Sequence, residues 1–242
     1  WVILSIVINL SILGFFKYFN FFIDNLYALF PIESFIHKPA LQIILPVGIS
    51  FYIFESMTYS VDIFKGVSKP AQSILHLSTY ISMFPRLNAG PIVRYSFIED
   101  QLRDISSKIN YENLAKGLFI FALGLIRKLF IADFFAEWAD YFFDLRIERQ
   151  FWVSWAGTLS YTFQIYFDFS AYCEMAYGLG IMLGFEFPKN FNSPYKAISF
   201  SDYWKRWHIA LSEFLRDYLY IPLGGNRFSD FKTYRNLMFT ML

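Results

Sequence analysis

Four long apolar runs, residues 1–22, 41–64, 114–135 and 151–187, leave this chain few ways to fold. A helix needs about 20 apolar residues to cross the hydrocarbon core of a bilayer, and three of the runs are near that length. The fourth is too long for one crossing and reads as a crossing followed by a second, bent or partial helix. Aromatic residues make up 22% of the chain, which suits lipid-facing helices and an interfacial belt better than a soluble core. The expected fold class is therefore all-α, a polytopic integral membrane protein. A net charge of +1 gives no bulk attraction to nucleic acid, and none is expected as a partner. The single Cys173 excludes an internal disulfide and a cysteine-only metal site, and reads as a small apolar residue within a span. Neither His-x-x-x-His nor a cysteine pair occurs, so no metal is expected.

The runs are not clean. Pro46, Gly48 and Ser50 interrupt the second, and such breakers are tolerated where neighbouring helices or water re-satisfy the backbone. Glu55 and Asp62 lie in or at the end of that run. A carboxylate at membrane depth is expensive, so each is either functional or paired and interfacial. Arg127 and Lys128 sit inside the third run and must snorkel or meet a wet interior. Asp168 sits inside the fourth. It can orient a histidine or bind a hydroxyl, or it can form a helix–helix hydrogen bond with Ser170, Tyr172 or an arginine. Residues 74–84 are too short to cross, and 98–113 read as an amphipathic surface segment. Lysine and arginine concentrate in 65–116 and 189–235 and are sparse in 24–40 and 137–150. By the positive-inside rule both rich regions are cytoplasmic.

The chain opens on Trp1 within a span-like run, and 237–242 begins another. No small-residue cleavage site follows residues 2–16, which argues for a span over a signal sequence. Residues 1–242 are thus expected to be one transmembrane domain, truncated at both ends.

The most polar long stretch is 199–227. Ser199 with Asp202 three positions on is a capping-box pattern, and Pro222 with Gly224-Gly225 is a stop. The spacing predicts a helix over about 199–221. On it Trp204, Leu211, Leu215 and Leu219 share a face with His208, Ser212 lies beside it, and Arg206, Glu213 and Asp217 lie opposite. His208 can take up and return a proton near neutral pH, as acyl transfer to a hydroxyl requires. It can equally be a packed histidine bonded to a backbone carbonyl. His37 and His76 have no metal-ligand spacing to it. Gly224-Gly225-Asn226-Arg227 lacks the lysine and Ser/Thr of a phosphate loop and reads as a turn, although Arg227 could contact an anionic donor. No Gly-x-Ser-x-Gly elbow occurs.

Trp204-Lys-Arg-Trp-His-Ile-Ala-Leu-Ser212, continuing through Phe214-Leu-Arg-Asp-Tyr-Leu-Tyr-Ile-Pro-Leu-Gly-Gly-Asn-Arg227, resembles the signature helix of the membrane-bound O-acyltransferases (MBOAT). Three stretches resemble further motifs of that family: Leu45-Pro-Val-Gly-Ile-Ser-Phe-Tyr-Ile-Phe54, Phe84-Pro-Arg-Leu-Asn-Ala-Gly-Pro-Ile-Val-Arg94, and Tyr166-Phe-Asp-Phe-Ser-Ala-Tyr172 with Met175-Ala176. The resemblance is strongest to the alginate O-acetylation (AlgI-like) branch. It implies a ring of helices around a water-accessible funnel or tunnel in a bacterial plasma membrane. It also implies transfer of an acyl group, from coenzyme A or a carrier on the cytoplasmic side, towards a secreted polysaccharide with the help of periplasmic or extracellular partner proteins. No bound cofactor is implied. His208 matches one catalytic position. Trp204, Trp207, Ser212, Asp217, Asp168 and Arg94 are the substrate-binding or supporting positions. The other catalytic position is a histidine in a Trp-His-Gly context, which this sequence does not contain, and it is expected past Leu242. By resemblance that histidine is the base. His208 then assists, by orienting the acceptor hydroxyl or by stabilising charge at the acyl carbonyl. D-alanyl transfer to teichoic acid is an alternative on the same fold. A transporter or channel lined by Asp168, Glu55 and Arg127, or a structural scaffold, is an alternative from another class.

Overall fold

The computed structural model describes residues 1–30, 43–87, 90–103, 109–144, 148 and 150–241. His37, residues 88–89 of the Phe84–Arg94 motif, and parts of the 98–113 and 137–150 segments lie outside the described residues. Helices dominate what is described, and no strand occurs among those residues. The chain divides into two compact units, residues 1–88 with 94–97, and residues 89–93 with 98–242.

In the first unit, α1 (Val2–Leu29) is a 28-residue helix with a π-helical segment at Gly14–Tyr18. At 1.5 Å per residue it is about 42 Å long, enough to cross a bilayer. Among the described residues it is the one helix both long and apolar enough to do so by that test. Its first half carries apolar residues all round and buries none of them, the pattern of a helix solvated by an apolar medium. Helix α2 (Ile49–Phe64) packs on it, with the Ser5 and Ser60 hydroxyls 2.9 Å apart. The run 41–64 does not become one helix. Gly48 adopts φ 74° at the start of α2, and a β-carbon there would lie 1.9 Å from the Leu87 carbonyl oxygen, so the turn requires glycine. Helix α3 (Ile74–Ile81) starts at Ser73, whose hydroxyl accepts the His76 N–H. A 3₁₀ turn, Phe84–Arg86, then carries Arg86 into the core. Buried Arg86 pairs with buried Glu55, donates to the Tyr80 carbonyl and stacks over the Tyr80 ring. Of the two readings open for Glu55, the paired one holds. Helix α4 (Tyr95–Arg103) begins in this unit, where Tyr95 meets Tyr59 and Tyr80 edge to face, and continues into the second.

The second unit is built on two long helices. Helix α5 covers 111–143, capped by Asn110 and passing through a π-helical segment at Arg127–Ala132. Helix α6 (Phe151–Met182) is unbroken for 32 residues, so the expected second, partial helix within 151–187 does not form. Its glycines are packing positions. A β-carbon on Gly117 or on Gly178 would come within 2.6 Å of the other's carbonyl oxygen, and one on Gly124 within 2.9 Å of that of Ala171. Glycine therefore lets the two backbones approach closely, as small residues do between membrane helices. The awkward charges of the third and fourth runs neutralise one another across this seam. Arg127 pairs with Glu174, and Lys128 Nζ lies 2.7 Å from Asp168 and from Asp133.

The stretch 199–221 is helical but not one helix. Helix α7 (Phe200–Trp204) ends in a turn, His208 takes φ 43° and ψ 54°, and α8 (Ile209–Leu215) follows with a π-helical segment at Arg216–Tyr220. Trp204 therefore does not share a helical face with His208 and Leu211. The reason lies in residues 190–192. The Ile209 N–H goes to the Asn190 carbonyl, the Ala210 N–H to the Asn190 side chain, and the Arg206 carbonyl accepts the Asn192 N–H. These loop bonds take groups that a continuous helix would pair internally. The cap at the start of α7 forms, with Ser199 Oγ accepting the Asp202 N–H, while Asp202 Oδ2 accepts the Ile198 N–H, one residue before the Ser199 N–H of an ideal capping box. The Gly224-Gly225 stop forms as a turn, held by buried Asn236 of α9 (Asp230–Met241), which donates to the Leu223 and Gly225 carbonyls.

Candidate active site

The site is best built outward from Asn190, which follows Pro188-Lys189 in the loop after α6. Its residue is 3% exposed. Its side-chain oxygen lies 3.1 Å from His208 Nδ1 and 3.1 Å from the Ala210 nitrogen, and its Nδ2 donates to Cys173 Sγ of α6 at 3.3 Å. One polar residue thus ties α6, its following loop and the start of α8 together at His208. Phe169 of α6 closes the other approach, edge to face with the imidazole at 4.8 Å. This burial pushes the His208 pKa down to about 4, so the ring is neutral at pH 7.

His208 also carries backbone strain. A non-glycine residue in the left-handed region costs about 1–3 kcal/mol and persists only where the surroundings over-determine it. Ile209 N–H to Asn190 O at 2.9 Å and Ser212 N–H to His208 O at 3.0 Å are the bonds that hold it.

An aromatic wall carries the segment before His208. Trp207 stacks on Tyr203 at 5.7 Å, meets Phe191 edge to face at 5.1 Å, and lies against Tyr166 and Tyr195. The Tyr195 hydroxyl donates to the Thr162 carbonyl of α6. Arg206 bonds Asp202 at 2.9 Å, and its guanidinium holds that carboxyl below the ordinary range. A cavity of about 470 Å³ opens beside Asn190, between α5, α6 and the loop, with Tyr166, Tyr177, Lys189 and the Arg127–Glu174 pair in its lining.

The sequence candidates are dispersed by this geometry. Trp207 packs in the wall next to His208. Trp204 is half-buried, and its indole nitrogen has no hydrogen-bond partner among the described residues. Ser212 lies one turn beyond His208 and bonds it through the backbone. Asp217 accepts two bonds from Arg216. Asp168 is bonded to Lys128 rather than to a histidine. Arg94 belongs to the first unit. Asn190 was missed, because nothing in a polar loop between Pro188 and Phe200 distinguishes an asparagine that clamps from one that faces water.

An all-helical architecture with long apolar helices and a half-buried neutral histidine on a polar segment defines a membrane protein with a candidate proton-handling site. The sequence profile of the membrane-bound O-acyltransferase family matches residues 67–242, and the chain belongs to that family. It is 45% identical, over its whole length, to a probable alginate O-acetylase of Azotobacter vinelandii, covering 48% of that protein. It is 43% identical, again over its whole length, to a peptidoglycan O-acetyltransferase of Helicobacter pylori, covering 50% of it. A teichoic acid D-alanyltransferase of Bacillus subtilis is 27% identical over 76% of the chain. The chain spans about half the length of the curated relatives it matches.

Proposed function

We propose that the protein carrying this chain is an O-acetyltransferase, a multi-pass protein of the bacterial plasma membrane. It moves an acetyl group from a thioester donor on the cytoplasmic side, acetyl-coenzyme A or a carrier-bound acyl group, to a hydroxyl of a secreted, alginate-like polysaccharide. Periplasmic or extracellular partner proteins complete delivery, and the helices surround a funnel or tunnel through which the acyl group passes. In the reaction the acceptor O–H bond breaks and its oxygen bonds the acyl carbon. The C–S bond of the thioester breaks, and the proton leaves with the thiol. His208 handles the acceptor end of this exchange.

The observation that carries the reading is His208 itself. It is a half-buried, neutral histidine in a strained left-handed conformation, within the segment matched by the family. Strain of this kind is retained where it serves a site. Acetyl transfer is favoured over D-alanyl transfer by 43–45% identity over the whole chain against 27% over part of it. A transport pathway lined by Glu55, Arg127 and Asp168 is disfavoured, since these pair with Arg86, Glu174 and Lys128.

The test is His208→Ala in the intact protein in its native membrane. Loss of a positioned acid–base group typically costs about 10²–10⁴-fold, so base-labile acetate on the polysaccharide should nearly vanish while membrane insertion persists. Wild-type acetylation in this variant would sink the reading. Base-labile D-alanine in place of acetate would redirect it to teichoic acid.

A further inference from the structure

We infer that Asn190 is a positioning residue that fixes the tautomer of His208, with the proton on Nδ1 and the lone pair on Nε2. This rests on His208 being an active-site residue.

The assignment follows from one backbone group. The Ala210 N–H can only donate, and it lies 3.1 Å from the Asn190 side chain, so the amide atom facing it is the oxygen. The same oxygen lies 3.1 Å from His208 Nδ1. An amide oxygen only accepts, so Nδ1 must carry a proton. A neutral imidazole has one proton, and Nε2 is left as an acceptor. The amide cannot reverse cheaply. Its nitrogen is engaged by Cys173 Sγ at 3.3 Å, and a flip would set –NH₂ against the Ala210 N–H, which can only donate. The Asn190 carbonyl meanwhile takes the Ile209 N–H, so one residue sets both the backbone and the ring of His208.

The tautomer decides between two roles. A group that stabilises negative charge on the acyl oxygen must donate a hydrogen bond, and neutral His208 has already committed its only N–H to Asn190. A group that accepts the hydrogen bond of the acceptor hydroxyl, or takes its proton, needs a lone pair, and Nε2 has one. His208 therefore serves the acceptor hydroxyl. Phe169 of α6 and Asn190 of the loop, with the Cys173 thiol behind it, meet the ring and are uncharged, and burial alone accounts for its lowered pKa. A charge introduced at 190 should then register directly in the imidazole pKa.

The experiment compares wild type, His208→Ala, Asn190→Ala and Asn190→Asp in the intact membrane protein. It reads kcat, KM for the acyl donor, pH dependence, and the ¹⁵N histidine spectrum, in which His208 is the signal missing from His208→Ala. Asn190→Ala should lower kcat by about tenfold or more with little change in KM, and its His208 signal should show mixed tautomers. Asn190→Asp keeps an oxygen for both N–H groups but adds a negative charge. It should recover much of the rate, with the acidic limb moved up by about one pH unit or more. If His208→Ala is inactive while both Asn190 variants keep the wild-type rate, profile and spectrum, the positioning role is overturned and the acyltransferase reading stands. If His208→Ala retains full activity, the reading of His208 falls and takes the role with it. Should Asn190→Ala fail to accumulate, Asn190→Asp decides: an unshifted acidic limb overturns the proposal.

Discussion

His208 is neutral because it is half-buried against Phe169 and a neutral amide, and its stability linkage follows. Its folded-state pKa of about 4 lies below the ordinary histidine value of 6.5. Between those values the unfolded chain binds a proton that the folded chain refuses. The contribution is therefore complete above pH 6.5 and is lost as pH falls towards 4. Thermal melts of the detergent-solubilised protein should show a steeper loss of stability over that window for wild type than for His208→Gln, and equal slopes would contradict the burial. The candidate residue was legible from its polar setting in an apolar chain and from Trp204-Lys-Arg-Trp-His208. Its environment was not. Helical periodicity put His208 in the middle of an apolar stripe, whereas its real neighbours come from residues 169 and 190, which no local pattern connects to it.

Between elements, the α5–α6 seam shows how a residue type can mislead at one level and inform at the next. The length of the 151–187 run, which has Gly178 and Gly180 near its end, suggested a second, bent or partial helix. Instead α6 stays helical through both, Gly178 lies against the Gly117 and Phe121 backbone, and Gly180 lies against the Phe187 ring. Gly178→Ala would place a methyl 2.6 Å from a carbonyl oxygen and 2.7 Å from an amide nitrogen, neither of which can rotate away. Overpacking of this kind costs about 1–3 kcal/mol, so the variant should melt earlier and accumulate less. A wild-type melting temperature would refute the close approach. The charges told a similar story. Arg127, Lys128 and Asp168 each looked out of place in its own run, and the anomaly resolves once α5 and α6 are adjacent and Glu174 meets Arg127. Asp168 and Arg127 had both been weighed for function; Asp168 pairs across the seam with Lys128, a partner other than the Ser170, Tyr172 or arginine that its structural reading named.

For the molecule as a whole, α1 makes the clearest statement. Phe21, Phe22 and Ile3 are each at least 60% exposed on a helix apolar over most of its length. Burying a large apolar side chain is worth about 1.5–3 kcal/mol, so such a helix partitions into lipid. Alkaline carbonate washing should leave the protein in the membrane fraction and detergent should release it. Release by carbonate alone would contradict a spanning α1. The sequence by itself determined the helical class, the membrane setting and the family, and singled out His208 as a candidate, because apolar run length, aromatic content and a contiguous signature are one-dimensional properties. The tertiary structure alone decided that the signature helix breaks at His208, that Asn190 holds it, and that the stray charges are paired. Each of these depends on hydrogen-bonding partners from distant parts of the chain, and such pairing leaves no periodic trace in the order of residues.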